Sequence, residues 1–185
     1  VIPLWVADMD FAAPPAVQQA LARQVAHGNY GYMNAPRDLA AQLAADYQRR
    51  YGWAIEPEWI VWLPGLVLGL HLAVKTCCAP GEAAISFSPI YPPLLGAPKA
   101  QGRTLVDIPL KPVNAAETEF VIDFTALEAA LRATPGIRLL LLCHPHNPIG
   151  RLFSRTELQQ LADFCSRHDL YVCSDEIHAD LILDG

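Results

Sequence analysis

The feature that most constrains this chain's fold is the uninterrupted apolar run Leu139-Leu140-Leu141-Leu142-Cys143, bounded by Arg138 and a proline-rich segment. A strand with one wet face alternates apolar and polar residues, so a strand that is apolar throughout has both faces covered. Such strands belong to mainly parallel sheets with helices on each side. The chain after Glu58 has the matching rhythm. Short apolar runs at 59–63, 83–87, 104–108, 138–143 and 170–174 alternate with helical patterns at 66–78, 125–133 and 155–168. The proline-rich stretch 88–98 reads as a loop and a short helix. The predicted class is α/β, a three-layer α/β/α arrangement around a mainly parallel mixed sheet.

Ahead of this region, Val17, Leu21 and Val25 recur at helical spacing between Pro15 and His27, with Gly28 just beyond. A second amphipathic pattern runs from Pro36 to Tyr51 and ends at Gly52. We therefore divide the chain into an N-terminal helical segment, 1–52, and the first part of a larger sheet domain, 53–185. The chain closes on the turn signal Asp184-Gly185, so a further element is expected after it.

Charge excludes some partners. The net charge is −6, and the 13 Lys and Arg residues form no basic stripe, which argues against nucleic acid. No apolar run is long enough for a bilayer span. The cysteines Cys77, Cys78, Cys143, Cys165 and Cys173 are odd in number and lie in apolar segments, as reduced core thiols do, so a cytoplasmic location is expected.

In open α/β sheets, ligands sit beyond the carboxyl ends of the strands. Four such places carry unusual residues: Pro64-Gly65-Leu66-Val67, Ser88-Pro89-Ile90-Tyr91, His144-Pro145-His146-Asn147-Pro148 and Ser174-Asp175-Glu176-Ile177-His178. Asp175, at the end of an apolar strand, needs a partner: it either caps a following helix or faces a cationic ring nitrogen. The prolines around Asn147 orient its amide as a donor, although an Asn-Pro pair also serves turn geometry alone. Gly65 opens a helix whose free N–H groups and positive end suit an anion, or simply makes a turn. Tyr91 is a stacking platform or a core aromatic. Read singly, His146 and His178 are structural or surface histidines. A metal site at Cys143, His144 and His146 is rejected for want of a second ligand pair.

In order and spacing, these four loops resemble the fold-type I pyridoxal-phosphate enzymes of the class I/II aminotransferase superfamily. The opening Pro3-Leu4-Trp5-Val6-Ala7-Asp8-Met9-Asp10-Phe11 is similar to that of the MalY/PatB cystathionine β-lyase branch, where plain aminotransferases have Gly-x-Pro-Asp-Phe. The segments Leu142 to Arg151 and Ser174 to Asp180 are similar to that branch as well. The resemblance covers the whole chain. It implies pyridoxal 5'-phosphate, with Asp175 on the pyridine nitrogen, Asn147 donating to the phenolic oxygen, and His178 where many aminotransferases carry tyrosine. It further implies Tyr91 stacked on the ring, Gly65, Leu66 and Val67 at the phosphate, and Tyr32 reaching the phosphate of a neighbouring subunit in a homodimer. Ala7 would lie near the substrate carboxylate, and Asp8 and Asp10 would shape its loop.

The resemblance implies that the Schiff-base lysine lies downstream of the Asp175 strand, so it is expected after Gly185; Lys75, Lys99 and Lys111 do not match its motif. No catalytic residue is therefore assigned here, and the chain by itself is expected to be inactive. For the intact protein the resemblance implies a carbon–sulfur β-lyase acting on a sulfur-containing amino acid. The alternatives are an aminotransferase and the ligand-sensing domain of a transcription regulator.

Overall fold

The apolar run is a central strand with both faces covered. In the computed structural model, which describes residues 10–32, 34–36, 38–114 and 119–183, strand β5 spans Ile137–Cys143. Its even-numbered leucines, Leu140 and Leu142, join a core with Ile85, Phe87, Leu127, Leu161 and Phe164. From Leu139 onward its odd-numbered positions, Leu139, Leu141 and Cys143, face the other way, into a core with Leu70, Val74, Leu94 and Ala97. Period-two alternation thus sends successive leucines into two different cores. Burying each contributes on the order of 1.5–3 kcal/mol.

The four-stranded sheet has the order β2-β1-β5-β6, with β1 at Ala83–Ser88, β2 at Thr104–Pro109 and β6 at Tyr171–Asp175. All its pairings are parallel. Helices α3 (Leu66–Cys77) and α4 (Pro92–Ala100) cover one face. The other is covered by α5 (Phe124–Ala133) and α6 (Arg155–Arg167). These are the three predicted layers. Local chemistry sets the helix starts: Asp123 accepts the Ala126 N–H ahead of α5, and Ser154 and Glu157 form a capping box on α6. Helix α4 contains Gly96 and Pro98, both poor helix formers, but Leu94, Ala97 and Pro98 are buried and hold it in place.

Contacts divide the chain into two compact units, Val1–Trp62 and Leu63–Gly185. The first contains α1 (Pro15–His27) and α2 (Leu39–Tyr51), each ended by a left-handed glycine, Gly28 or Gly52. Helix α2 begins three residues later than its apolar pattern, which started at Pro36.

The strand expected at 59–63 is absent. Pro57–Trp59 is instead a short 3-10 helix, in which Trp59 N–H donates to the Glu56 carbonyl and Ile60 N–H to that of Pro57. Val61 and Trp62 are exposed, and no described strand pairs with them. The Gly65 loop therefore follows an irregular segment and not a strand. A small antiparallel hairpin, β3 (Lys111–Pro112) with β4 (Phe120–Val121), was not anticipated.

Candidate functional site

All four strands of the sheet run in parallel, so their carboxyl ends form one edge. Helix α3 joins β1 through the short turn 78–82, runs antiparallel to the strands and presents its N-terminus at that same edge. The Tyr91, Asn147 and Asp175 segments are hydrogen-bonded to one another there.

Asp175 ends β6, opposite Cys143 in the register of β5, and is 5% exposed. Its Oδ1 accepts the N–H of Ile177 at 3.2 Å. This is an Asx turn and not the helix cap considered from sequence, since a turn and no helix follows at 177–180. Its carbonyl accepts the N–H of His144 at 3.0 Å. One strand end is thereby tied to the next.

Asn147 is fixed through its main chain. Its N–H donates to Cys143 Sγ at 3.5 Å, and its carbonyl accepts the Tyr91 N–H at 3.0 Å. The Tyr91 and Asn147 loops are thus directly joined. Asn147 and His178 line one cavity of about 420 Å³, together with His146, Leu152 and Ile182. Tyr91 is 37% exposed and so is available to stack.

The N-terminus of α3 is uncapped. Gly65 makes no side-chain cap, and a Cβ placed on it would meet no atom within 4 Å. Its φ of 173° is extended backbone open to any residue. The missing side chain leaves open space at this helix start, and the free N–H groups of a helix start favour an anion in general.

Arg151, given no role from sequence, pins the Asn147 loop to α6: its Nη2 lies 2.8 and 3.0 Å from the two carboxylate oxygens of Glu157. Glu157 also accepts the Ser154 N–H, and the Ser154 and Arg151 bonds lower its carboxyl pKa against an opposing burial effect. Phe153 is the other residue that sequence reasoning missed. Its ring meets those of His144 and His146 and the guanidinium of Arg151. No periodic pattern marks an aromatic inside a proline-rich loop.

Ala7 lies outside the described residues, as do Asp8 and the other residues of the apolar opening up to Met9. Tyr32 is fully exposed and belongs to the other compact unit. The lysines are exposed. Lys75 and Lys99 occupy the last turns of α3 and α4, the ends away from the site. Lys111 follows β2, three strands from β6, or about 14 Å at the usual strand spacing. Among the described residues, no group of metal-ligating side chains is suitably placed for an ion, and no helix is long and apolar enough to cross a membrane.

The family described as aminotransferase class I and II matches residues 1–185. The chain belongs to this family. It is 39% identical over 184 residues to cystathionine β-lyase PatB of Bacillus subtilis (strain 168), a match covering 100% of the chain and 46% of that protein. A cystathionine β-lyase of Corynebacterium glutamicum is 37% identical over 185 residues, covering 100% of the chain and 47% of the relative. Among solved structures, cystalysin from Treponema denticola, which contains a pyridoxal 5'-phosphate cofactor, superposes with a TM-score of 0.90 at 34% identity, covering 100% of this chain and 46% of that one. The chain spans about half the length of the curated relatives it matches. The resemblance drawn from the loops and the α/β class are both borne out.

Proposed function

We propose that the whole protein is a pyridoxal-phosphate-dependent carbon–sulfur β-lyase, and that this chain builds the cradle for its cofactor. The observation that carries the reading is the joined edge: a nearly buried carboxylate on β6, bonded through its main chain to the loop that bears Asn147, which is itself bonded to Tyr91. This donor set fits a flat, phosphorylated, cationic pyridine. The Asx turn occupies Asp175 Oδ1, so its other oxygen would pair with the ring N–H. Asn147 and His178 would meet the phenolic oxygen from one cavity wall, Tyr91 would cover a ring face, and Gly65, Leu66 and Val67 would hold the phosphate.

When bound, the cofactor supplies a cationic ring that draws electrons from the substrate's α-carbon. Asp175 keeps that ring protonated, because a carboxylate beside it stabilises the positive form. The lyase reading is supported by the names of the two curated relatives. On L-cystathionine, the β-carbon to sulfur bond would break and the thiol leave. Water would then convert the remainder to pyruvate and ammonia. Tyr32 would serve a neighbouring subunit's phosphate in a homodimer, Ala7 would lie by the substrate carboxylate, and the reacting lysine would belong to the part of the protein beyond this chain.

The test is pyruvate and thiol release from L-cystathionine by the whole protein. We expect equal amounts of both, and at least a hundredfold loss of turnover in Asp175→Ala, about the effect of removing one buried charged partner. Transfer of the amino group to a keto acid without thiol release would instead identify an aminotransferase.

A further inference from the structure

His144 closes the loop that carries Asn147. Its ring Nε2 accepts the N–H of Phe153, nine residues later, at 3.1 Å. The ring lies nearly parallel to that of Phe153, with centroids 5.7 Å apart and planes 14° from one another. Within this closure, His146 N–H donates to the Arg151 carbonyl at 3.0 Å and Gly150 N–H to the His146 carbonyl at 2.8 Å. His144 also reaches the next strand, because its own N–H donates to the carbonyl of Asp175 at 3.0 Å. One residue therefore ties the two ends of the Asn147 loop together and ties that loop to the strand ending in Asp175.

An Nε2 that accepts a hydrogen bond carries no proton, so the ring is neutral with its proton on Nδ1. Burial favours this form by lowering the imidazole pKa, while Glu176 and the Phe153 contact act the other way. A turn-forming residue of small size would complete the loop without any of these side-chain contacts.

We propose that His144 is a positioning residue for the cofactor site, its Nε2 bond to Phe153 and its main-chain bond to Asp175 holding Asn147 and Asp175 in one frame. The inference rests on the reading above, since those two residues would grip the phenolic oxygen and ring nitrogen of one rigid ring. Their separation must match the ring's. Loss of the Nε2 acceptor strands the Phe153 N–H and frees the loop, and Asn147 then loses its fixed position relative to Asp175.

The experiment uses the whole protein and three variants. His144→Phe keeps a flat ring on Phe153 but has no acceptor, His144→Leu lacks both, and His144→Gln places an amide oxygen near the position of Nε2. Pyridoxal 5'-phosphate is titrated into each apoprotein, its visible spectrum is recorded across pH, and the apoprotein is melted. We expect His144→Phe to bind the cofactor about tenfold more weakly, as for one lost hydrogen bond that leaves its donor stranded. The pH at which its bound-cofactor spectrum changes should also move, because the phenolic oxygen loses Asn147. His144→Gln should restore both to near the wild-type values. Unchanged affinity and spectrum in His144→Phe, or losses as large in His144→Gln, would overturn the proposal. So would acceptor-free variants, Phe and Leu alike, that fail to fold while His144→Gln folds, since the role is then in folding. A wild-type protein that takes up no pyridoxal phosphate overturns the functional reading itself, and this inference with it.

Discussion

His146 is 2% exposed, and neither ring nitrogen has a hydrogen-bond partner. Burial, helped by nearby His144, pulls its pKa down to about 4. An unfolded chain titrates this histidine near 6.5, so between those values the unfolded state binds the proton and the folded state does not. Stability is therefore full above pH 6.5 and falls as the pH drops toward 4, by roughly 3 kcal/mol from this group at the limit. We expect urea midpoints to fall between pH 7 and pH 4.5 and to fall less in His146→Phe, the difference between the two proteins isolating His146 from carboxylates such as Glu157. Equal slopes would mean that the ring is charged or hydrated in the fold. In the sequence this residue stood among prolines, where no period separates a buried histidine from an exposed one. The same absence of period hid Phe153 and the strap made by His144. Asp175 was legible for the opposite reason: a carboxylate closing an apolar strand demands an explanation wherever the side chain points.

At the level of elements, the sequence was readable where a segment carried both a period and a boundary residue. Helix α1 matches its predicted span, from Pro15 to the residue before Gly28, and α6 starts at the capping box that follows the Asn147 loop. The run at 59–63 had the composition of a strand, but a strand also needs a neighbour to take its N–H and C=O groups, and composition does not report that. The hairpin of β3 and β4 was too short to show a period. Gly65 shows what an element boundary contributes to the site. Its extended backbone and open surroundings mean that Gly65→Ala introduces no strain, and at a helix N-cap the change should cost no more than about 1 kcal/mol. The methyl group would nevertheless stand in the open space at this helix start. We expect a nearly unchanged thermal midpoint and at least a tenfold, or about 1.4 kcal/mol, weaker affinity for pyridoxal phosphate, with inorganic phosphate as a competing probe. An affinity equal to wild type would place the phosphate elsewhere.

Over the sheet as a whole, burial is uneven in a way that bears on how the chain behaves by itself. Strand β5 is buried at six of its seven positions, as an inner parallel strand must be. Strand β6 is its hydrogen-bonded neighbour, yet Tyr171 is 57% and Val172 48% exposed, and Leu181, Ile182 and Leu183 beyond it are exposed too. A parallel strand with apolar side chains in water, at the edge of a sheet with open N–H and C=O groups, is a template for pairing with another chain. The net charge of −6 gives only modest repulsion against this. We expect the 185-residue chain produced alone to self-associate progressively as its concentration rises, and to enhance the fluorescence of a hydrophobic dye, whereas the whole protein at equal concentration would hold one fixed oligomeric state and give no dye enhancement. Charge placed on the edge tests the cause: Val172→Lys should reduce association of the isolated chain while leaving its helical circular dichroism in place. If the chain sediments as a monomer without dye enhancement, the apolar surface around β6 is covered by its own residues. If Val172→Lys associates as readily as the parent, contact is made through another surface.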